Sequence, residues 1–258
     1  MATAMLRRYE VSTNIAWDVV AATARARKCK ALPNVARCFI VTEWHEKILE
    51  RIEKDVSIVI SERGCLRAWK VKMLEKVVNI INTLSHDNPH LLIAIDGRCA
   101  SGKTTLAMDL KQIYKCNVIH MDDFFLRPEQ RTTERLCRAG ENVDHERFLE
   151  EVLVPLRNGE NFSYRPFDCK TNMFSEPIAV GRHGINIIEG SYSCHPDLWD
   201  FYDLRIFLTV SPEVQRERII SRNGVGKAEI FRNKWIPLEE RYFKEMDIAN
   251  RCDLYGGY

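Results

Sequence analysis

Several things are missing from this sequence, and each absence narrows the reading. No apolar run approaches the ~18 residues that a membrane-spanning helix requires, so no membrane partner is expected. Charge of one sign is missing as well. Lys plus Arg (38) nearly balance Asp plus Glu (36), and without a global basic field nothing points to nucleic acid. There is no C-x-x-C pair, and nine cysteines are an odd number, which argues against both a zinc site and a disulfide framework. Free thiols imply a reducing compartment. A charged start, apolar middle and small-residue cleavage site are also absent. The first forty residues lean basic, with Arg7, Arg8, Arg25, Arg27, Lys28, Lys30 and Arg37 against Glu10 and Asp18. An Arg-rich presequence is serine-rich and acid-poor, whereas here Ser12 stands alone and two acids interrupt, so a cytoplasmic location is expected. No repeat, low-complexity segment or Asn-Lys-x-Asp guanine-reading motif occurs, the last arguing against a GTPase.

The 258 residues are 45% hydrophobic and 29% charged, ample for a globular core. Residues 1–87 read as a mainly helical N-terminal extension. Trp44, Ile48, Ile52 and Val56 recur at helical spacing, and Leu74, Val77, Val78, Ile81 and Leu84 form a second stripe. Arg63-Gly64 separates them. Ser85-His86-Asp87-Asn88-Pro89 is a cluster of turn residues and marks the boundary with a second domain, 88–258. The extension carries no chemical motif. It suits packing on the catalytic domain, although its helices could also serve a homo-oligomer.

From residue 90 onward, strand-like runs alternate with helical patterns. The strand candidates are Leu91–Asp96, Asn117–Met121, Ile185–Glu189, Leu204–Val210 and Cys252–Tyr255. This alternation predicts a parallel sheet covered on both faces, with ligands at the C-terminal ends of its strands. At the end of the first strand, Gly97-Arg98-Cys99-Ala100-Ser101-Gly102-Lys103-Thr104 is a complete G-x-x-x-x-G-K-T loop. Leu106, Leu110 and Ile113 continue it at helical spacing. A loop joining a strand to a helix N-terminus presents backbone N–H groups and the helix dipole to a phosphate chain. Lys103 is expected on the β- and γ-phosphates of ATP and Thr104 on Mg²⁺. Gly97, Cys99, Ala100, Ser101, Gly102 and Thr105 complete the nucleotide site.

Acids close two further strands. Asp122 and Asp123 follow the second, where a carboxylate can orient and deprotonate a hydroxyl acceptor or simply cap a turn; spacing does not separate the two. Glu189 ends an apolar strand in the Walker-B manner, near Mg²⁺ and its water shell. Ser211-Pro212-Glu213 opens a helix carrying Arg216, Arg218 and Arg222. These can close over phosphates or form a solvated face, and Gly224-Val225-Gly226 beyond them supplies hinges for a lid. Asp144, read alone, caps the helix that carries Phe148, Leu149, Val152, Leu153 and Leu156.

The phosphate loop, the Ile119-His120-Met121-Asp122-Asp123-Phe124-Phe125 run, Asn142-Val143-Asp144, Tyr164-Arg165-Pro166-Phe167-Asp168, Ile188-Glu189-Gly190 and Trp235-Ile236-Pro237-Leu238-Glu239-Glu240 stand in one order. Over residues 90–255 the chain resembles the uridine kinase-like P-loop kinases. The resemblance implies a P-loop NTPase fold of α/β class, with a five-stranded parallel sheet flanked by helices. It implies transfer of the γ-phosphoryl of ATP, with Mg²⁺, to a ribose 5′-hydroxyl. Asp122 matches the catalytic base and Asp144 an acid that holds ribose hydroxyls. Phe125, Phe167 and Asp168 match the substrate pocket, and Glu189 the acid near the metal. Arg218 and Arg222 fall where the lid begins, Arg218 toward the nucleotide and Arg222 toward the reacting phosphate. The segment after Phe167-Asp168 lacks the His usual in uridine and cytidine kinases, and the Asp-Asp-Phe-Phe run also resembles nicotinamide riboside kinases. A small-molecule, nucleoside-like acceptor is therefore expected, uridine or cytidine first. Nicotinamide riboside or another small alcohol, or an NTP-dependent regulatory switch, are the alternatives.

Overall fold

The computed structural model describes residues 68–257, all within one unit spanning Arg63–Tyr258. The Trp44–Val56 stripe lies outside the described residues. A helix over residues 68–87 (α1) precedes the first strand. Its Met73, Val77 and Ile81 are buried, the i, i+4, i+8 face of an amphipathic helix. Each fully buried side chain of this size contributes about 1.5–3 kcal/mol relative to exposure. Ser85 and Asp87, read from sequence as loop, remain helical. The Ser85 hydroxyl donates to the Asn82 carbonyl (3.2 Å), and the Asn88 N–H closes the last turn on Leu84 O (3.0 Å). Pro89 then ends the helix, because the residue before a proline is driven out of the helical region.

Nine strands follow: β1 (Leu91–Gly97), β2 (Cys116–His120), β3 (Phe162–Tyr164), β4 (Phe167–Asp168), β5 (Met173–Phe174), β6 (Ile178–Val180), β7 (Ile185–Glu189), β8 (Leu204–Thr209) and β9 (Leu254–Gly257). The main sheet has the order β2-β7-β1-β8-β9, and all its pairings are parallel. This is the five-stranded P-loop NTPase arrangement expected from the sequence. β1 is buried along its whole length, as a central strand covered on both faces must be. Leu91, Ile93 and Ile95 point to the side of α1 and of helix α2 (Lys103–Ile113). Leu92 and Ala94 point to the opposite core, built on Phe124, Phe148, Tyr242 and Phe243. That second core is closed by a helix over residues 145–157 (α3) and by the last long helix, residues 225–245 (α5), which follows α4 (Pro212–Asn223). Both α3 and α5 carry a π-turn, at Leu149–Leu153 and Phe231–Trp235. Two small antiparallel ladders, β3–β6 and β4–β5, project between α3 and β7. Strands of two or three residues have no readable periodicity, so the sequence does not announce them.

The six cysteines among the described residues are all free. No helix among those residues is long and apolar enough to cross a membrane.

Candidate active site

The phosphate loop bridges β1 and α2, and its shape is forced by close packing. Gly97 has φ +132°, and a Cβ there would lie 1.9 Å from the Leu208 carbonyl oxygen on β8. Only glycine tolerates that approach and that φ. Ala100 (φ +61°) and Gly102 (φ +108°) continue the left-handed turn into α2, leaving successive N–H groups to form an anion cradle. Lys103 curls over the loop and donates to the carbonyls of Gly97 (2.7 Å) and Arg98 (2.9 Å).

Buried acids hold this loop from behind. Asp96 is fully buried and accepts from the Gly97 N–H (2.6 Å), the Cys194 N–H (2.8 Å) and the Tyr242 hydroxyl (2.9 Å). Burial pushes its carboxyl up to about 6 despite these donors. Glu239 on α5 accepts from the Cys99 N–H (3.0 Å) and the Ser191 hydroxyl (2.9 Å), and burial raises its pKa as well. Arg98 makes a two-pronged ion pair with Glu240 and donates to Thr209 (2.9 Å). The sequence offered no role for Asp96, Ser191, Glu239 or Tyr242. The one available signal was Glu239-Glu240 inside the Trp235–Glu240 run.

The strand ends meet as expected. The Thr104 hydroxyl lies 3.1 Å from both oxygens of Glu189. His120 Nδ1 sits 2.6 Å from Glu189 Oε1, and that bond raises the imidazole pKa. The two neighbouring aspartates separate clearly. Asp123 accepts from the Tyr164 hydroxyl (2.9 Å). Asp122 lines the cleft. Its side chain reaches solvent, yet the cleft walls crowd it on most sides. That crowding raises its pKa against the opposing pull of Lys103.

The cleft is about 1050 Å³, the upper end of the ~300–1,000 Å³ of small-molecule sites and room enough for a nucleotide and a second ligand. Cys99, Ala100, Gly102, Lys103, Thr104, Thr105, Asp122, Phe125, Glu189, Arg218 and Arg222 all line it. The Cys99 thiol is pushed up to about 12 by burial, so it stays neutral. Arg218 Nη1 donates to the Ala100 carbonyl (2.8 Å), under the loop, whereas Arg222 is exposed with its guanidinium 6.0 Å from the Phe231 ring. Arg216 is exposed and is not part of the lining. Gly97 and Ser101, loop residues that are both buried, are not part of the lining.

Asp144, Phe167 and Asp168 stand outside the cleft lining. Asp144 is buried and caps α3, accepting from the Arg147 N–H (3.2 Å) and from Gln130 Nε2 (2.8 Å). Phe167 packs edge-on against Phe174, and Asp168 accepts from the Lys170 N–H (2.8 Å) in the β4–β5 turn. The next residue, Cys169, does reach the lining, together with Arg131, Asn142, Tyr192 and Trp235.

A separate group of potential metal ligands, Glu141, His145 and His195, has donor atoms within 4.8 Å of one another. The two imidazoles are stacked, centroids 4.0 Å apart and planes at 16°. Their in-plane lone pairs therefore lie in two nearly parallel, separated planes and do not converge on a point ~2 Å from each, as zinc ligation needs. Burial and His145 hold His195 down to about 4, and the Arg135 guanidinium pairs with Glu141, Nε 3.0 Å from Oε2. The group packs the start of α3 against the turn that carries His195.

No family model matches the chain. Nicotinamide riboside kinase 2 of Homo sapiens is 31% identical over 173 residues, 64% of this chain and 72% of that protein. Its Mus musculus counterpart is 30% identical over 166 residues, 61% of this chain and 82% of that protein. Among solved structures, a "possible uridine kinase" from Bacillus stearothermophilus superposes with a TM-score of 0.52 at 21% identity, covering 74% of this chain and 98% of that one. The structural likeness establishes the fold, and the sequence relatives establish the family. The chain belongs to the uridine kinase-like family of P-loop kinases, which includes the nicotinamide riboside kinases.

Proposed function

We propose that this kinase transfers the γ-phosphoryl of ATP to the 5′-hydroxyl of a nucleoside-like riboside. The observation that carries the reading is the separation of the two aspartates. Asp123 is tied to Tyr164, while Asp122 lines the cleft that also holds Lys103, Thr104 and Glu189. Asp122 orients the acceptor hydroxyl and takes its proton as the phosphoryl group arrives. Its raised pKa makes it a stronger base than an ordinary aspartate. Lys103 leaves the loop carbonyls for the phosphate chain, and the N–H groups of residues 102–104, at the N-terminus of α2, hold that chain by preorganised dipoles. Arg222, on the exposed end of α4, closes over the reacting phosphate, and Arg218 steadies the loop from below. The hydroxyl of Thr104 and the carboxylate of Glu189 are hard oxygen donors facing one another, a pairing that suits Mg²⁺. When bound, Mg²⁺ neutralises phosphate charge.

The named relatives favour a pyridine riboside over uridine or cytidine. The nicotinamide riboside kinases are 30–31% identical to this chain over 166–173 aligned residues, whereas the uridine kinase likeness is one of fold.

The test is ADP formation from ATP and Mg²⁺ with uridine, cytidine, nicotinamide riboside and pantothenate as acceptors, with Lys103→Ala as control. Acceptor-dependent ADP release with a riboside, lost in the control, is the expected result. Tight ATP binding without acceptor-dependent turnover for any riboside would sink the reading in favour of a nucleotide-dependent switch.

A further inference from the structure

One cation of the cleft comes from outside the kinase pattern. Lys70 stands on α1, a helix that ends before residue 90, where the resemblance to the family begins. It lines the cleft beside Ala100, Gly102 and Thr105. It also lines a small groove between α1 and α2, with Met73, Gly102, Thr105 and Asp109. Lys70 is exposed, and its ammonium makes no hydrogen bond or ion pair among the described residues. The helix beneath it is fixed. Met73, three residues on and on the same face, is buried against Gly256 of β9, where an added Cβ would lie 2.9 Å from the Met73 Cε. Val77 and Ile81 are wholly buried. Farther along, the Tyr114 hydroxyl at the end of α2 donates to Asn82 Oδ1 (2.7 Å). A flexible side chain thus works from a rigid root.

Its neighbours set its place along the phosphate chain. Asp122 marks the end from which the γ-phosphoryl leaves, and Thr104 with Glu189 suits the metal. Thr105 is the next residue of α2 and is turned about 100° away from Thr104 on the helix surface. It shares its face with Asp109, four residues on, and that face borders Lys70. Neither Asp122, Thr104 nor Glu189 borders the groove. The phosphate in front of Lys70 is therefore the one farthest from the acceptor, next to the nucleoside. An ammonium donates to a phosphate oxygen in a charge-assisted bond about twice as strong as a neutral one. Lysine, a point charge on a flexible stem, needs no fixed fork geometry to do so.

We infer that Lys70 is a nucleotide-binding residue whose ammonium holds the phosphate adjoining the nucleoside, so that the N-terminal helix completes the donor site. The inference rests on the reading of the loop as the ATP site and is independent of the acceptor. That phosphate keeps its charge and its bonds as the γ-phosphoryl moves. The contact therefore strengthens ATP and ADP binding alike and leaves the chemical step alone.

The experiment is calorimetric titration of the full chain with ATP and with ADP. Lys70→Met should raise Kd for both by the same factor, roughly 3- to 10-fold, and the difference from wild type should shrink as salt rises. The value of kcat at saturating ATP should stay within about twofold. Lys70→Arg should regain most of the affinity. Lys72→Met, exposed on the same helix and outside the lining, should bind as wild type does. An unchanged Kd in Lys70→Met overturns the inference, as does an equal loss in Lys72→Met, the mark of a general positive field. A loss for ATP without one for ADP also overturns it, because the ammonium would then lie on the γ-phosphate. Nucleotide binding that depends on Lys70, without turnover of any riboside, leaves the contact standing and removes the riboside-kinase reading. A wild-type protein that binds neither nucleotide removes both.

Discussion

The phosphate end of the cleft is made of backbone braced by buried acids, and the acceptor end is made of side chains carried on short turns. At the first, Gly97, Ala100 and Gly102 shape the loop, while Asp96 and Glu239 hold its N–H groups from behind. At the second, Phe125, Arg131, Cys169 and Trp235 come from three separate stretches of chain. A phosphate chain is the same in every substrate of such an enzyme, so a rigid, sequence-local device serves it. An acceptor is recognised by one or two hydrogen bonds, which loops can supply and revise without disturbing the sheet.

The sharpest way to break this comparison is at the point where the two ends meet. Asp122→Asn should lower kcat by roughly 10²–10⁴-fold, the range for a positioned general base, with nucleotide affinity retained. Asp123→Asn should chiefly weaken the bond from Tyr164, costing about 1 kcal/mol of stability. Because crowding raises the Asp122 pKa, the proton-bound form persists above the ordinary aspartate value of ~3.9. Activity should therefore fall on the acid side at a pH above that value. A pH profile of kcat/KM with its acid limb in the ordinary range, or an Asp122→Asn enzyme within a few-fold of wild type, would remove Asp122 as the base.

The same division explains what could be read from the sequence. G-x-x-x-x-G-K-T lies within eight residues of chain, and the strands around it are apolar runs of five to seven residues. Local pattern therefore led to the loop, the sheet and the Thr104–Glu189 pairing. Asp144 shows the limit. Its cap was legible because a cap joins neighbours in sequence, but its bond to Gln130 was not. Arg131 and Cys169 are 38 residues apart, and their meeting depends on the β4–β5 turn, which no periodicity marks. Glu239 reaches Cys99 across 140 residues, and nothing local distinguishes it from Glu240.

The next test asks how little the phosphate end can yield. Gly97→Ala would place a methyl group 1.9 Å from the Leu208 carbonyl oxygen, at φ +132°. Strain at that φ and overpacking between β1 and β8 should together cost roughly 3–5 kcal/mol. That corresponds to a fall in Tm of about 10 °C for a domain of this size. Thermal unfolding checks it. A loss under about 1 kcal/mol would mean that β8 can move away, and that the loop is less rigid than this packing requires.

The smallest effect bears on the acceptor end. Asp144 does structural work, capping α3 and accepting from Gln130, while the resemblance gives its counterpart a hold on ribose hydroxyls. Asp144→Ala should cost about 1 kcal/mol through the lost cap, which by itself says nothing about substrate. Asp144→Asn separates the roles, because asparagine caps about as well as aspartate but offers no carboxylate. If the acid grips ribose, the asparagine variant recovers the melting temperature while its KM for the riboside stays raised several-fold. If the cap is its whole role, stability and KM return together. We expect the second outcome, because Asp144 is buried outside the cleft lining and spends one oxygen on the Arg147 N–H and the other on Gln130. Gln130 and Arg127, 2.8 and 3.8 Å from Asp144 Oδ2, lie on the turn that leads into Arg131, so the carboxylate braces that turn.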